Sequence, residues 1–310
     1  MPELPEVHTT ATGLNKAISG LKIIDIWTDY GGSSYHDGKD NIKNPLFFNK
    51  FKKEVIGTKI IHVTRRAKNI LIHLSNDKTI LAHMKMTGHF LYGKYKFDKK
   101  FKFNWEPSDQ KSILTDPFNR FIHFVFVLSD GKHVVMSDMR KFAKITLLDS
   151  TNMLELEKTE HLLGIGPEPL EKDFTFTIFI KQIGKKPKGK IKTVLMDQSI
   201  IAGIGNIYSD EVLWRSNVHP ESEVSKIPQT NLKEMFKAIK ETLKKGIDFG
   251  GDSMSDYRNV HGERGKFQDH HRAYRRTNKP CQKTGCEGTI IRKVVGTRSA
   301  HFCNKHQEKF

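Results

Sequence analysis

The spacing of the apolar residues changes part-way along the chain, and this change restricts the fold more than any other feature. In the first 150 residues, apolar residues mostly recur at every second position, which is typical of strands with one buried face. The clearest runs contain Ile80, Ala82, Met84 and Met86, and Ile122, Phe124, Phe126 and Leu128. Beyond the Gly- and Pro-rich stretch 164–169 the spacing becomes helical, first over 191–195 and then over 232–243. The sequence therefore predicts a β-sandwich followed by a helical domain.

Local turn and helix signals support this division. Ser129-Asp130-Gly131 follows the second alternating run and predicts a hairpin turn. The helical stripe over 232–243 is followed by Gly246, where we expect the helix to end. Between the helical stretches, the two glycines of the turn 202–206 allow a tight backbone whose N–H groups, with the start of the next helix, suit a phosphate.

Charge and composition restrict the partners of this chain. With 310 residues and 37% hydrophobic content, it can bury two ordinary cores. The formal charge of +17 and the isoelectric point near 9.6 indicate a polyanionic partner, which could be DNA, RNA or an anionic membrane surface. No apolar run approaches ~20 residues, and the N-terminal residues lack a secretion pattern. We therefore expect an intracellular protein that does not insert into a membrane.

The three cysteines all lie in the last 30 residues, at Cys281, Cys286 and Cys303. An odd number of cysteines in an intracellular chain argues against a disulfide framework. The pattern Cys-x4-Cys followed by Cys-x2-His306 instead supplies four donors in two knuckles, as tetrahedral structural zinc requires. We expect one structural Zn²⁺ ion. His306 suits the knuckle spacing better than His301, which remains an alternative fourth ligand.

The N-terminal segment Met1-Pro2-Glu3-Leu4-Pro5-Glu6 has two interpretations. It can be an ordinary helix start, because proline and acidic residues are favoured in a first turn and the apolar residues continue at helical spacing. Alternatively, removal of Met1 would expose the secondary amine of Pro2. An α-amino group has a pKa of about 7.7–8.0, so a fraction is nucleophilic at neutral pH. Glu3 and Glu6 could then transfer protons beside an iminium ion.

Taken in order, these features and their spacing resemble the formamidopyrimidine-DNA glycosylase and endonuclease VIII family of base-excision repair enzymes. The matching segments are Pro2 to Val7, Arg65 to Lys68, His83 to Gly88, Asp138 to Phe142, Leu163 to Leu170, Met196 to Gln198, Gly203 to Ser209, and the C-terminal finger. The resemblance covers nearly the whole chain. The finger departs from the family pattern in its four-residue first gap and in ending with His306 instead of a cysteine.

The resemblance implies a multidomain α+β fold. It comprises an N-terminal β-sandwich with an N-terminal helix, a C-terminal helical domain with a helix-two-turns-helix motif, and a zinc-finger β-hairpin. The limits that we expect are 1–158 for the catalytic β-sandwich domain, 159–172 for a linker, 173–270 for the helical domain with a lesion-capping loop at 250–267, and 271–310 for the finger.

The resemblance also implies roles for individual residues at the reaction centre. Pro2 would attack C1′ of the damaged nucleotide and expel the base. Glu3 would protonate the opening sugar, and Glu6 would help to hold the site. Lys68 would bind phosphate and assist proton transfer during β-elimination.

Further residues would hold the DNA. His83, Asn206 and Arg298 resemble a phosphate clamp, in which Lys188 is a weaker member and Arg298 also assists δ-elimination. Met86, Arg140 and Phe142 match the residues that fill the void left by an everted nucleotide, although Met86 and Phe142 could instead pack in a core.

The predicted function is that of a bifunctional DNA glycosylase and AP lyase on damaged duplex DNA. The segments Met139 to Phe142 and Gly250 to Phe267 resemble the branch that excises 8-oxoguanine and formamidopyrimidines. The alternatives are an endonuclease VIII-like enzyme for oxidised pyrimidines, a non-catalytic DNA- or RNA-binding zinc protein on the same scaffold, and an RNA-modifying enzyme. We expect a monomer.

Overall fold

A computed structural model describes residues 1–31, 40–100 and 104–310. These residues form two compact units. The first comprises residues 1–163 together with 250–266, and the second comprises 164–249 and 267–310. The domain limits expected from the sequence stay a prediction.

The first unit opens with helix α1, Leu4–Ile18, which carries Pro5 in its first turn and buries the stripe Val7, Ala11, Leu14 and Ile18. These residues recur at the helical spacing that the sequence predicts. The unit also holds two four-stranded antiparallel sheets with α1 packed against strand β2. The strands are β1 Ile23–Thr28, β2 Ile60–Arg66, β3 Asn69–Leu74, β4 Thr79–His83, β5 His89–Gly93, β6 Tyr95–Phe97, β7 Trp105–Pro107, β8 Ile122–Leu128, β9 His133–Ser137 and β10 Lys144–Leu148.

The strand order is β1-β8-β9-β5 in one sheet and β10-β4-β3-β2 in the other, while β6 and β7 form a separate hairpin. Residues of both sheets and of α1 share one hydrophobic core, which includes Leu14, Ile72 and Phe124. The predicted hairpin turn joins β8 to β9, with Gly131 at a φ of +76°. The predicted N-terminal helix and β-sandwich are therefore confirmed.

Three details of this unit differ from the sequence-based expectations. A second helix, α2 Pro45–Val55, lies among the predicted strands and is capped by the side chain of Asn44. Met86, expected at the end of an alternating strand, lies beyond β4 in a turn. Phe142 also lies outside a strand, between β9 and β10. The short helix α3, Met153–Leu156, completes the described helices of the unit.

The second unit is helical and ends in a two-stranded hairpin. Its helices are α4 Phe176–Ile183, α5 Ile191–Met196, α6 Asn206–Arg215 and α7 Gln229–Asp248, and its strands are β11 Ile290–Val295 and β12 Arg298–Cys303. The glycine turn 202–206 joins α5 to α6, as expected. Helix α7 does not end before Gly246 but continues past it to Asp248, and Gly246 is buried within the helix. The α+β fold class is confirmed.

Within the described ranges, no helix is long and apolar enough to cross a membrane. Strands β6 and β7 lie within the lysine-rich stretch 93–111, of which residues 101–103, including Lys102, lie outside the described residues.

Candidate active site and metal centre

Pro2, Glu3 and Glu6 are buried together at the start of α1. Glu3 is the N-cap residue, and Glu3 and Glu6 form a reciprocal capping box. The backbone N–H of Glu3 donates a hydrogen bond to Oε2 of Glu6 over 2.7 Å. The local requirement for helix capping thus fixes the Glu6 carboxylate next to the residue that follows Pro2.

Lys68 and His83 lie on adjacent strand ends of the first unit. Lys68 is buried and follows Ala67, whose φ of +53° turns the chain from β2 into β3. His83 closes β4, in register with Asn69 and Lys144 on its two neighbours.

A hydrogen bond and burial determine the charge and the tautomer of the His83 ring. Nδ1 of His83 accepts a hydrogen bond from the backbone N–H of Lys85 over 2.9 Å, so the neutral ring carries its proton on Nε2. Burial, followed by the charges of Lys85, Lys68 and Lys144, lowers the pKa of His83 to about 3. At neutral pH this side chain is therefore an uncharged N–H donor.

Two neighbouring turns carry the three residues expected to fill the void in DNA. Met86 is 40% exposed and Arg140 is exposed, while Phe142 is half-buried. The guanidinium carbon of Arg140 lies 4.4 Å from the centroid of the Phe142 ring. The exposure of Met86 argues against the core-packing alternative for that residue.

Asp138 connects these two turns and was not given a role from the sequence. It is fully buried, and its Oδ1 accepts a hydrogen bond from the Thr87 hydroxyl at 2.5 Å. Its Oδ2 accepts from the Ala143 N–H at 2.7 Å and from the Tyr30 hydroxyl at 3.1 Å. The Arg140 N–H donates in turn to Thr87 Oγ1. In the sequence, these hydrogen bonds are indicated only by the position of Asp138, an aspartate directly after an apolar strand.

In the second unit, Asn206 is the first residue of α6, directly after the N-cap Gly205. Backbone N–H groups at such a helix start attract anions. Arg298 is exposed at the start of β12, and Lys188 is exposed in the loop before α5. Asn206 is half-buried, with a buried Oδ1 atom. The DNA contacts of all three residues stay predictions.

A buried ion pair joins α5, α6 and β12. Lys192 Nζ lies 2.5 Å from Asp210 Oδ1 and 3.1 Å from Ser209 Oγ. The other oxygen of Asp210 accepts hydrogen bonds from the backbone N–H of His301 over 2.9 Å and from its Nδ1 over 3.0 Å. His301 is thereby engaged with Asp210.

The structure brings together four residues for which the spacing predicts a metal ion, Cys281, Cys286, Cys303 and His306. Their donor atoms all lie within 4.8 Å of one another. The Sγ atoms of Cys286 and Cys303 are 3.6 Å apart, and Nδ1 of His306 is 3.3 Å from Cys281 Sγ. Tetrahedral zinc, with bonds of about 2.0–2.3 Å, places its ligand atoms roughly 3.5–3.8 Å apart. The separations therefore suit a metal ion, with His306 and not His301 as the fourth donor.

The surroundings of this group also suit a metal. Backbone N–H groups of Lys283, Gly288 and Lys305 point at the three sulfurs over 3.3–3.4 Å. The hydrogen bond from Gly288 lowers the pKa of the Cys286 thiol. Nε2 of His306 lies 3.1 Å from the Trp214 carbonyl oxygen, which orients Nδ1 towards the cysteines.

The fold and these sites define a two-unit protein with a buried N-terminal carboxyl pair, a helical second unit and a finger whose three cysteines and one histidine could hold a metal ion. Two family models match: the formamidopyrimidine-DNA glycosylase N-terminal domain over residues 1–145 and the formamidopyrimidine-DNA glycosylase H2TH domain over 165–258. The chain belongs to the formamidopyrimidine-DNA glycosylase family.

Individual relatives match along their whole length. The formamidopyrimidine-DNA glycosylases of Herpetosiphon aurantiacus and Ligilactobacillus salivarius are 33% and 34% identical, and the matches cover 98% and 99% of both chains. The structure of Lactococcus lactis Fpg with DNA containing an abasic site is similar, with a TM-score of 0.81, 30% identity and coverage of 99% of this chain and 100% of that one. A structure of MutM with carbocyclic 8-oxo-G DNA gives a TM-score of 0.80 at 30% identity and the same coverage.

Proposed function

We propose that this protein is a DNA glycosylase and AP lyase that removes oxidised purines, 8-oxoguanine and formamidopyrimidines, from duplex DNA. The observation that carries the proposal is the pair of buried carboxyl residues, Glu3 and Glu6, joined by a hydrogen bond beside Pro2. Relatives named formamidopyrimidine-DNA glycosylase match nearly the full chain, and similar structures contain abasic, Fapy-dG and 8-oxo-G DNA. The positive charge of the chain suits the DNA backbone.

Pro2, freed of Met1, supplies the nucleophile. Its nitrogen forms a bond to C1′ of the nucleotide while the C1′–base bond breaks, and the base leaves with that electron pair and a proton. Glu3 donates a proton to the ring oxygen O4′ as the sugar opens, which leaves an iminium ion at C1′. Glu6 holds the Glu3 backbone in place through its Oε2 atom.

Strand cleavage follows from the same iminium ion. Loss of a proton from C2′ expels the 3′ phosphate, and a second elimination expels the 5′ phosphate. Lys68 and Arg298 neutralise the phosphates and assist these proton transfers, and water finally releases the sugar fragment from Pro2.

The remaining residues bind and distort the DNA. His83 donates its Nε2–H to a phosphate oxygen, while Asn206 and Lys188 contact phosphates from the helical unit. Met86 and Phe142 enter the stack when the nucleotide is everted, and Arg140 bonds to the orphaned partner base.

The metal group serves the fold of the finger. Cys281, Cys286, Cys303 and His306 would hold one Zn²⁺ ion, which would supply folding energy to the hairpin that carries Arg298. We further propose that the protein is a monomer and acts inside the cell.

Borohydride trapping tests the catalytic proposal. The protein is mixed with duplex DNA containing 8-oxoguanine, borohydride reduces any iminium ion, and peptide mass mapping locates the adduct. We expect the adduct on the peptide that begins with Pro2. The matched control is Pro5→Ala, which alters the other proline of the segment and should still give the adduct.

Each other outcome has a defined meaning. Absence of an adduct with wild-type protein, together with tight binding to the duplex, would favour the non-catalytic DNA-binding alternative. Faster trapping on an oxidised pyrimidine than on 8-oxoguanine would favour the endonuclease VIII-like alternative. An adduct mapped to a lysine peptide would contradict the role of Pro2.

A further inference from the structure

The segment Gly250–Lys266 belongs to the first unit and contacts Glu6 directly. The backbone N–H of Asp252 donates a hydrogen bond to Oε1 of Glu6 over 2.7 Å. The other carboxylate oxygen, Oε2, accepts from the Glu3 N–H over 2.7 Å. The Glu6 carboxylate therefore bridges the start of α1 and this distant segment.

Close packing adds to this bridge. Gly251 has a φ of +87°, and a Cβ added there would lie 2.9 Å from Cγ of Glu6. The Tyr257 hydroxyl donates to the Glu6 carbonyl oxygen over 3.0 Å and lies 3.3 Å from Thr10 Oγ1. Burial raises the pKa of the Tyr257 phenol, which therefore keeps its proton. Both the backbone and the side chain of Glu6 are fixed by this segment.

The segment is anchored in turn by Arg258, which follows Tyr257 and is 3% exposed. Its Nη2 lies 3.1 Å from Oδ2 and 3.3 Å from Oδ1 of Asp116, and its Nε lies 3.1 Å from Oδ2. The guanidinium carbon lies 4.9 Å from the centroid of the Phe118 ring. A forked ion pair of this kind fixes orientation as well as charge.

Two other contacts confine the same segment. Val260 belongs to the main hydrophobic core, and its carbonyl oxygen accepts from the Tyr92 N–H over 2.7 Å. Gly265 donates its N–H to Ser253 Oγ over 2.8 Å, which joins the two arms of the segment. Among the contacts described for this segment, the Arg258–Asp116 ion pair joins two charged groups. It ties Tyr257 and its neighbours to the loop at Asp116.

We infer that Arg258 and Asp116 are positioning residues for the Glu6 carboxylate, acting through Tyr257, Gly251 and Asp252. The inference rests on the proposed function, in which Glu6 supports the reacting Pro2–Glu3 pair. Loosening the ion pair should let the segment move away and release Oε1 of Glu6. A displacement of about 1 Å at a reaction centre can cost as much as 100-fold in rate.

The test uses the full-length protein and a duplex containing a preformed abasic site, with borohydride trapping as the readout. We expect Asp116→Asn to lower the single-turnover rate constant of trapping about 10-fold and Gly251→Ala about 100-fold. The DNA concentration that gives half the maximal rate should change less than twofold, because the residues proposed to contact phosphates are untouched. Arg258→Lys keeps the charge and should recover part of the rate lost in Arg258→Met. Asp109→Asn is the matched control, since Asp109 is exposed in the same loop and should react at the wild-type rate.

Hydrogen exchange supplies a second readout that does not need activity. The amides of Asp252 and Glu3 should exchange at least 10-fold faster in Asp116→Asn, while amides in the middle of α1 keep their protection. If wild-type protein forms no adduct, the proposed function fails, and the inference is judged on this exchange alone. A wild-type trapping rate and unchanged amide exchange in both Asp116→Asn and Arg258→Met would overturn it.

Discussion

The ammonium group of Lys192 lies 2.5 Å from Oδ1 of Asp210, and both side chains are buried. Because Asp210 also binds His301 on β12, this pair holds the finger hairpin against α5 and α6. Removing one partner of a buried pair leaves an uncompensated charge, at a cost of about 3–5 kcal/mol. We expect Asp210→Asn to destabilise the helical unit by that amount in chemical unfolding. Glu241→Gln, which breaks an exposed pair with Arg215, should cost less than about 1 kcal/mol; equal losses would contradict this.

The second prediction concerns acid stability. Burial and the nearby charge of His62 lower the pKa of the His73 ring from 6.5 to about 4. Above pH 6.5 the ring is neutral in both states, so it adds no pH dependence. Between pH 6.5 and 4 the unfolded chain binds a proton that the folded chain resists, so stability falls as the pH falls, by about 3 kcal/mol. Chemical unfolding at several pH values measures this slope.

His73→Gln should flatten that slope, because glutamine does not titrate. His62→Gln is the control, since His62 is exposed and stacks on His73 with ring centroids 4.2 Å apart. It should leave most of the slope in place. A slope that is identical in wild type and His73→Gln would assign the acid sensitivity to other groups.

Metal removal provides the third prediction. A strong chelator should unfold the finger and abolish lesion processing, while the β-sandwich unit stays folded by circular dichroism. His306→Cys should keep the metal, because thiolate is an equally good zinc ligand and the group would then have four sulfurs. His301→Ala should also retain it. Loss of the ion in His301→Ala with retention in His306→Ala would reverse the ligand assignment.

The fourth prediction addresses DNA binding by the finger. Arg298→Ala should weaken binding to duplex DNA and reduce the magnitude of the salt slope by about one unit, as expected for one lost phosphate contact. Arg292 lies on the neighbouring strand β11 and hydrogen-bonds to Ser299, so Arg292→Ala is the matched control. Equal slopes for Arg298→Ala and wild type would remove Arg298 from the clamp.

The sequence predicted the elements that carry long apolar runs or stripes. Strand β8 is apolar at six of its seven positions and is buried on both faces, and α1 and α7 carry long apolar stripes, so each could be recognised alone. Helix α2 was missed because its run of lysines and phenylalanines buries only Phe51 and Val55. The prediction that α7 ends before Gly246 was wrong, since the helix continues to Asp248 with Gly246 buried inside it.

The residues of the candidate site also differ in how far the sequence could predict them. The cysteine spacing predicted the metal group, since knuckles are local structures. The same spacing favoured His306 over His301 as the fourth donor, and the structure agrees. The contact of His301 with Asp210, which is distant in sequence, was not predicted. Asp138, Arg258 and their partners were likewise not recognised, because hydrogen bonds between distant loops leave no periodic trace.

The carboxylate of Glu6 closes the first turn of α1 and also receives the Asp252 N–H. We therefore expect any replacement that alters the start of this helix to disturb the chemistry proposed for Pro2 and Glu3 as well. Laboratory evolution towards greater heat tolerance can therefore change few residues at the start of α1. Stabilising substitutions should accumulate at surface positions far from this helix start instead.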